Sequence, residues 1–355
     1  MPDTTIRLGA LELKNPIVCA SGEHVLTESG IRAGLDAGAA VVVAKSINET
    51  SAAREQLART DYSLFDSHWR PQPWDTSDWR ESSLLCRSGL QPIASEQWID
   101  AVASLDREAR SRDAFVAGSL ILADLGEAVS IARRMEQAGL RLIEFNVGAP
   151  YGDEAAGGAI VTERAAARVR EQVAAICSAI SIPVWVKLTG QSENVAALAQ
   201  AARDGGASAV VMIGRSLGML PDLDTQSPVL GTNLGYGGAW ALPLACYWLA
   251  RSRRLLGSSF PLVGTNGARD GHDALRMILA GASAVEFCTA VMTGGFGVLS
   301  AAVESVLAYV ERHQTRVADL TGVAADQLQS FGEQPHRPDH WRNFVPAQTR
   351  FMSGE

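Results

Sequence analysis

Short apolar runs alternate with segments of helical periodicity along most of the chain. The runs are nearly continuous in apolar character, which is typical of parallel strands buried on both faces, whereas half-solvated antiparallel strands alternate apolar and polar residues. They predict eight strands, at residues 16–20, 40–44, 115–121, 142–147, 184–188, 209–213, 261–263 and 284–287. Predicted helices separate them, among others at residues 125–137, 163–179, 194–202, 240–253 and 273–279.

Glycines mark the junctions between these helices and the strands that follow. Gly38, Gly139, Gly206 and Gly281 each stand at such a junction, where a left-handed residue ends a helix with little strain. The chain has no G-x-G-x-x-G dinucleotide fingerprint and no Walker sequence. Eight repeated units without these motifs favour an α/β fold of the (β/α)8 TIM barrel type over an open doubly wound sheet.

Three segments depart from the repeat. Residues 5–13 predict an N-terminal hairpin that plugs the bottom of the barrel. A long insertion after the second strand, residues 48–95, is rich in aromatic residues and fits either a lid or a satellite core. We therefore expect a barrel over residues 1–313 and a C-terminal extension over residues 314–355, which wraps either the barrel or a neighbouring subunit.

Charge and cysteine spacing narrow the classes of partner. The 355 residues include 31 lysines and arginines and 39 aspartates and glutamates, a net charge of −8 without a basic run, so nucleic acid is not expected. No stretch approaches the length of a membrane span, and the amino terminus does not resemble a secretion signal. The five cysteines stand far apart and predict neither zinc nor an iron–sulfur cluster. We expect a cytoplasmic protein that acts on a small molecule.

The ends of the last apolar runs carry candidate phosphate-binding residues. Gly264-Thr265-Asn266-Gly267 closes the seventh run, Cys288-Thr289 closes the eighth, and Gly237-Gly238 is assigned to the end of the sixth. In (β/α)8 barrels such loops hold phosphate groups, because small residues let backbone N–H groups approach the anion. These turns predict a phosphorylated cofactor or substrate.

Two lysines stand at the ends of apolar runs. Lys187 lies within residues 184–188, and Lys45 follows residues 41–44. A lysine in such surroundings is hard to bury without a partner. The alternatives are a capped strand end or ion pair and a role in an active site, and we favour the active site for both.

In this order, the motifs resemble the FMN-dependent dihydroorotate dehydrogenase and dihydropyrimidine dehydrogenase barrels over residues 6–310. The likeness rests on Asn15 to Gly22, Ala44-Lys45-Ser46, Glu144-Phe145-Asn146, Val186-Lys187-Leu188 and the turns described above. It implies FMN across the carboxyl ends of the strands, with Lys187 facing the pyrimidine end of the flavin, where an ammonium stabilises the charge of the reduced form. The implied FMN-binding residues are Ala20, Ser21, Lys45, Ser46, Asn146, Lys187, Gly237, Gly238, Gly264, Asn266, Gly267, Cys288 and Thr289. Related barrels often form dimers, so a homodimer is one of the assemblies that stay open.

Several positions depart from this family. The residue that exchanges the substrate proton in dihydroorotate dehydrogenases corresponds to Ala149, and a methyl group cannot move a proton. Residues that read the pyrimidine with amide side chains are replaced by Cys86, Tyr151 and Ile213. Since each buried polar group left unpaired costs roughly 1–3 kcal/mol, these changes argue against orotate or uracil as the substrate.

The residue patterns and the resemblance together predict an FMN-dependent oxidoreductase that acts on a CH–CH group next to a carbonyl. Asn146 with Arg87 or Arg215 is expected to bind the substrate, one arginine holding an anionic or carbonyl group. Tyr151 or Cys86 is expected to supply the proton, although a phenol with an ordinary pKa of about 10 requires surroundings that lower it. Two alternatives stay open: a flavin-free barrel that acts on a phosphorylated metabolite, and a flavin-binding protein without catalytic activity.

Overall fold

The chain begins with a short hairpin beneath the floor of a barrel. The computed structural model describes residues 2–149, 151 and 159–349. Strands β1 (Ile6–Leu8) and β2 (Leu11–Leu13) pair antiparallel. Leu8 and Leu13 are fully buried and belong to the same apolar cluster as Val41 and Trp185 of the barrel strands. The hairpin therefore closes one end of the barrel, as the sequence predicts.

Eight parallel strands close into a barrel, which confirms the predicted fold class. They are β3 (Ile17–Cys19), β4 (Val41–Val43), β8 (Phe115–Ile121), β9 (Ile143–Asn146), β10 (Val184–Lys187), β11 (Ala209–Met212), β14 (Leu262–Gly264) and β15 (Ala284–Phe287). They pair in chain order, and β15 pairs with β3 to close the ring. Each strand overlaps one of the apolar runs, because helices cover its outer face and side chains fill the interior.

Helices surround the barrel. They are α1 (Glu28–Asp36), α2 (Ser51–Glu55), α3 (Ser95–Ala109), α4 (Leu125–Gln137), α5 (Ala166–Cys177), α6 (Val195–Asp204), α7 (Leu242–Leu256), α8 (Gly271–Leu279), α9 (Thr289–Gly294), α10 (Gly297–His313) and α11 (Val317–Leu320). Asp124 and Asp270 cap α4 and α8 by accepting backbone N–H groups. In the described part of the chain, no helix has both the length and the apolar character of a membrane span.

The insertion builds a second sheet against the barrel. Its strands β5 (Asp61–Phe65), β6 (Pro71–Gln72) and β7 (Ser83–Arg87) join β12 (Ser216–Gly218) and β13 (Leu234–Gly238) in the antiparallel order β12-β13-β7-β5-β6. We call these five strands the cap sheet. The sequence predicted an excursion here but not its pairing with the segment after the sixth barrel strand.

The start of the C-terminal extension contacts the barrel of the same chain. The backbone N–H groups of Gly322 and Ala324 donate to the carbonyls of Ile278 and Leu279 at the end of α8, at 2.8 and 3.0 Å. Farther along, Phe331 and Phe344 are largely exposed. The described extension thus packs on its own barrel in its first part and leaves apolar side chains on the surface in its second part.

Candidate active site

A cavity of about 1190 Å³, its open mouth included, lies where the carboxyl ends of the barrel strands meet the cap sheet. It brings together residues that are far apart in the chain. Thirteen of the residues that the sequence predicts to be catalytic, to bind substrate or to bind FMN line it: Ala20, Ser21, Lys45, Ser46, Asn146, Tyr151, Lys187, Arg215, Gly238, Asn266, Gly267, Cys288 and Thr289. The carboxyl ends of barrel strands are where ligands of this fold bind.

Lys187, at the end of β10, lies between two buried carboxylates. Its Nζ is 3.1 Å from Oε1 of Glu144 and 2.7 Å from Oε2 of Glu286. Although burial lowers the pKa of Lys187, the two carboxylates outweigh it and raise that pKa above its ordinary range. The lysine is therefore charged, and it both forms an ion pair and lines the cavity.

The two glutamates were not assigned a role from the sequence. Each is an acidic residue inside an otherwise apolar barrel strand, Glu144 in β9 and Glu286 in β15. Because Lys187 needed a partner, an acid in a similarly apolar run was the signal that could have identified them. Which strands face each other could not be read from the sequence.

Lys45 has its own acidic partner at the opposite side of the barrel mouth. Its Nζ donates to Oε1 of Glu23 at 3.0 Å, and the same oxygen accepts the backbone N–H of Gly89 at 3.1 Å. Burial raises the pKa of Glu23, but the Lys45 ammonium, Tyr62 and Arg215 together outweigh it and bring the pKa down to about 2. The adjacent His24 is shielded from solvent, and this burial lowers its pKa to about 4, so it is neutral at physiological pH.

The glycine turns form one end of the cavity. Gly267 has a φ of 109°, and a methyl group added to it would lie 2.5 Å from the backbone nitrogen of Leu242. The loop after β14 therefore packs directly on the start of α7. Gly238 lines the same cavity, and Asn266 Nδ2 donates to the carbonyl of Gly214 at 3.3 Å.

Two of the predicted glycines have a packing role and do not line the cavity. A methyl group at Gly264 would meet Met277 and Leu249 of the surrounding helices, so this side of β14 faces outward. One at Gly237 would lie 2.8 Å from Oδ1 of Asn266, so this glycine lets the cap sheet approach the phosphate-side loop. Contact of these two glycines with a ligand stays a prediction.

Serine hydroxyls and a thiol line the part of the cavity nearest β3. Ser21 Oγ is 3.2 Å from Ser46 Oγ, which is 2.8 Å from Ser119 Oγ. Cys288 Sγ donates to the carbonyl of Ser21 at 3.6 Å, and burial raises the pKa of this thiol to about 11. Cys288 is therefore a neutral thiol.

Arg215 and Tyr151 meet the cap sheet at Cys86. Arg215 donates from Nη1 to Cys86 Sγ at 2.6 Å and from Nη2 to Ser88 Oγ at 2.9 Å. The Tyr151 hydroxyl donates to the carbonyl of Cys86 and accepts the N–H of Gly235 at 2.7 Å. Burial and the neighbouring Cys86 raise the pKa of Tyr151, which is the opposite of the lowered value that the sequence hypothesis required.

Cys86 and Arg87, at the end of β7, are not among the residues that line the cavity. Cys86 is fully buried and donates from Sγ to the carbonyl of Gly235 at 3.2 Å. Arg87 turns away and donates to the backbone carbonyls of Arg59 and Leu230. Of the two candidate arginines, Arg215 is the one that reaches the cavity.

One wall of the cavity is apolar. Ala149, at the position where the resemblance puts a proton-exchanging residue, is 3% exposed and packs in a cluster with Leu90, Ile121 and Ile160. All four residues line the cavity, and so does Ile213 at the end of the sixth barrel strand. None of these side chains can donate or accept a hydrogen bond.

Comparisons with known proteins agree with this geometry. The family model described as dihydroorotate dehydrogenase matches residues 70–308. The chain is 27% identical over 327 residues to the dihydroorotate dehydrogenase B (NAD(+)) catalytic subunit of Methanosarcina mazei, covering 90% of this chain and 95% of that protein. It is 29% identical over 288 residues to dihydroorotate dehydrogenase A (fumarate) of Limosilactobacillus reuteri, covering 79% of this chain and 85% of that protein.

Proposed function

The chain belongs to the dihydroorotate dehydrogenase family, and we propose that it is an FMN-dependent oxidoreductase that moves a hydride to or from a small molecule at a C–C bond next to a carbonyl. Relatives named as dihydroorotate dehydrogenases support an oxidoreductase of the CH–CH class. The observation that carries the proposal is one cavity that joins the ammonium of Lys187 to the glycine turn at Gly267.

The residues of the cavity fit FMN at both of its ends. Gly238 and Gly267 line one end of the cavity, where backbone N–H groups can approach a phosphate, and the close packing of Gly267 on Leu242 excludes larger residues there. Lys187 and Asn146, register neighbours on β10 and β9, suit the polar pyrimidine end. FMN, when bound, supplies the hydride acceptor or donor, and the protein orients it and excludes water.

The apolar wall points to a substrate other than a pyrimidine. Ile121, Ala149 and Ile213 would leave the N–H and C=O edges of orotate without partners, at roughly 1–3 kcal/mol for each group. Arg215 forms no direct salt bridge with a carboxylate among the described residues, although Glu23 is near enough to interact with its charge, and it lines the same cavity. We therefore assign a substrate with a small apolar body and one anionic group, which Arg215 binds together with Asn146.

Tyr151 is the proton donor in this account. Its raised pKa keeps the hydroxyl protonated and excludes a role as a base at neutral pH, but it also makes the phenol a weaker acid than a free tyrosine. The proton therefore goes only to a strongly basic carbanion, and the O–H must turn from the Cys86 carbonyl toward the substrate. This favours reduction of a C=C bond, with the proton going to the carbon next to the one that receives the hydride. Cys86 acts as a positioning residue, because its carbonyl holds the Tyr151 hydroxyl.

The first prediction concerns the cofactor. The purified protein should show the visible absorption spectrum of oxidised flavin and release FMN on denaturation. Gly267→Ala should weaken FMN binding at least about tenfold, since loss of a hydrogen bond to a charged phosphate costs ~1.5–3 kcal/mol. Titration of the flavin-free protein with FMN, followed by flavin fluorescence, measures this.

Gly297→Ala is the matched control for that experiment, because a methyl group at Gly297 meets no atom within 4 Å. It should bind FMN like the unchanged protein. Equal FMN affinity for the two variants would remove Gly267 from the phosphate site. A colourless protein that does not take up FMN would overturn the function itself and favour the flavin-free alternative.

The second prediction concerns the substrate class. Crotonate, a short unsaturated carboxylate, should perturb the flavin absorption spectrum, and orotate should perturb it much less. Arg215→Gln should weaken crotonate binding by roughly 10- to 100-fold, as expected for a charge-assisted hydrogen bond. Arg87→Gln, with its guanidinium on backbone carbonyls, is the control and should change the affinity little. Tight binding and turnover of orotate would contradict the assignment.

The third prediction concerns the proton. Tyr151→Phe should lower turnover by about 10²-fold or more, the usual effect of removing a general acid, and should leave FMN affinity unchanged. Tyr236→Phe is the control, since this tyrosine stacks on Trp240 with ring centroids 4.8 Å apart. If single-turnover reduction of the substrate is equally fast in Tyr151→Phe and the unchanged protein, Tyr151 is not the donor.

A further inference from the structure

Two buried carboxyl groups share one ammonium inside the barrel. Glu144 reaches Lys187 from the neighbouring strand β9, and Glu286 reaches it from β15, which is not adjacent to β10. The side chains of Glu144 and Glu286 are 1% and 0% exposed, whereas that of Lys187 is 12% exposed. The ammonium is therefore the most exposed group of the cluster, although all three residues line the cavity.

The charges of this cluster do not balance if every group is ionised. Two carboxylates and one ammonium would leave a net negative charge in a site that water hardly reaches, and a buried charge without a partner is strongly unfavourable. Two carboxyl groups that share such a site hold a proton between them, because like charges at short range cannot both persist.

A buried oxygen without a hydrogen-bond donor also supports a proton on the carboxyl pair. Oε1 of Glu286 has no donor among the described residues, although the atom is buried. Buried acceptors in proteins are normally satisfied. A proton on the carboxyl pair would supply the donor that this part of the barrel lacks.

Among the described residues, Lys187 is the one cation in salt-bridge contact with either glutamate. The cations of Lys45 and Arg215 line the same cavity, but Lys45 pairs with Glu23, and Arg215 donates to Cys86 and Ser88. The facing titratable groups are the thiols of Cys19 on β3 and Cys288 after β15, and burial raises the pKa of both, so they stay neutral. Strands β4, β8, β11 and β14 contain no ionisable residue. Burial, followed by the adjacent Glu286, raises the pKa of Glu144 well above its ordinary range.

We propose that Glu144 and Glu286 share one proton at neutral pH, and that this proton keeps the Glu144–Lys187–Glu286 cluster electrically neutral. Both glutamates are positioning residues that fix the ammonium of Lys187 toward the cavity. Loss of the shared proton at higher pH would make the cluster anionic. If FMN binds as proposed above, the proton occupancy of this pair also tunes the affinity of the site for reduced relative to oxidised flavin.

Infrared spectroscopy of the protein with ¹³C-labelled glutamate side chains tests the shared proton. The label separates the carbonyl stretch of a protonated glutamic acid from other carbonyls, and the flavin-free protein can be used. We expect one such band at neutral pH, which shifts in D₂O. It should be lost in Glu144→Gln and in Glu286→Gln, because the remaining carboxylate then pairs with Lys187 alone.

Glu23→Gln is the matched control, since Glu23 is a largely buried glutamate that forms a salt bridge with one lysine, Lys45, and has a pKa of about 2. The band should persist in this variant. The proposal is overturned if the unchanged protein shows no protonated glutamic acid, or if the band survives in both single variants. Because this measurement needs no flavin, its failure is distinct from a failure of the proposed function.

The midpoint potential of the bound flavin gives a second readout. At neutral pH each single variant keeps one carboxylate against one ammonium, so the ratio of reduced to oxidised FMN affinity should stay within about threefold of the unchanged protein. The double variant Glu144→Gln/Glu286→Gln leaves the ammonium uncompensated and should raise that ratio at least tenfold, about 30 mV for a two-electron couple. Single variants that shift the potential as far as the double variant would contradict the shared proton. If the double variant does not fold, the infrared measurement alone tests the shared proton.

Discussion

The buried ammonium of Lys187 sets the chemistry of the barrel mouth. A charge inside an apolar barrel is tolerated only when it is paired, and Glu144 and Glu286 pair with it from two strands. All three residues line the cavity, and Lys187 is the most exposed of them, so its ammonium is the group most accessible to a ligand. A ligand that gains negative charge at this point is stabilised, and the other polar groups of the site are arranged around it.

The cavity has two halves with different origins. The barrel half, with Lys45, Lys187 and the Gly267 turn, carries the motifs that the chain shares with its family. The other half is built by the cap sheet and the apolar wall around Ala149. Since catalytic specificity resides in the loops and additions on a scaffold, this division is the basis for proposing the family's cofactor with a different substrate.

The position of Tyr151 explains how proton transfer can persist without a polar residue at Ala149. Its hydroxyl is held by a carbonyl and an N–H of the cap sheet, not by another side chain. Such a group stays protonated at neutral pH, which excludes a base. Under the proposed function its O–H turns from the Cys86 carbonyl to the substrate, and the cap sheet then takes part in the reaction as well as in the shape of the cavity.

The barrel could be predicted from the sequence because parallel strands buried on both faces leave continuous apolar runs. The place of Lys187 was also predictable, since a lysine in such a run needs a partner or a function. The partnership of Glu144 with Glu286 was not, because it depends on which strands face each other across the interior. Nor was the cap sheet, whose strands β7 and β13 pair across a long separation in the chain. The surroundings of Tyr151 were misjudged for the same reason, because its backbone partners on the cap sheet come from that pairing.

The most direct test of the account is the position of Lys187 Nζ in a crystal structure of the protein with FMN bound. The account predicts that Nζ lies within hydrogen-bonding distance, about 2.7–3.2 Å, of the pyrimidine end of the flavin, while it keeps its contacts with Glu144 and Glu286. A structure in which the flavin ring lies elsewhere, or in which Lys187 has turned away from it into solvent, would contradict the account.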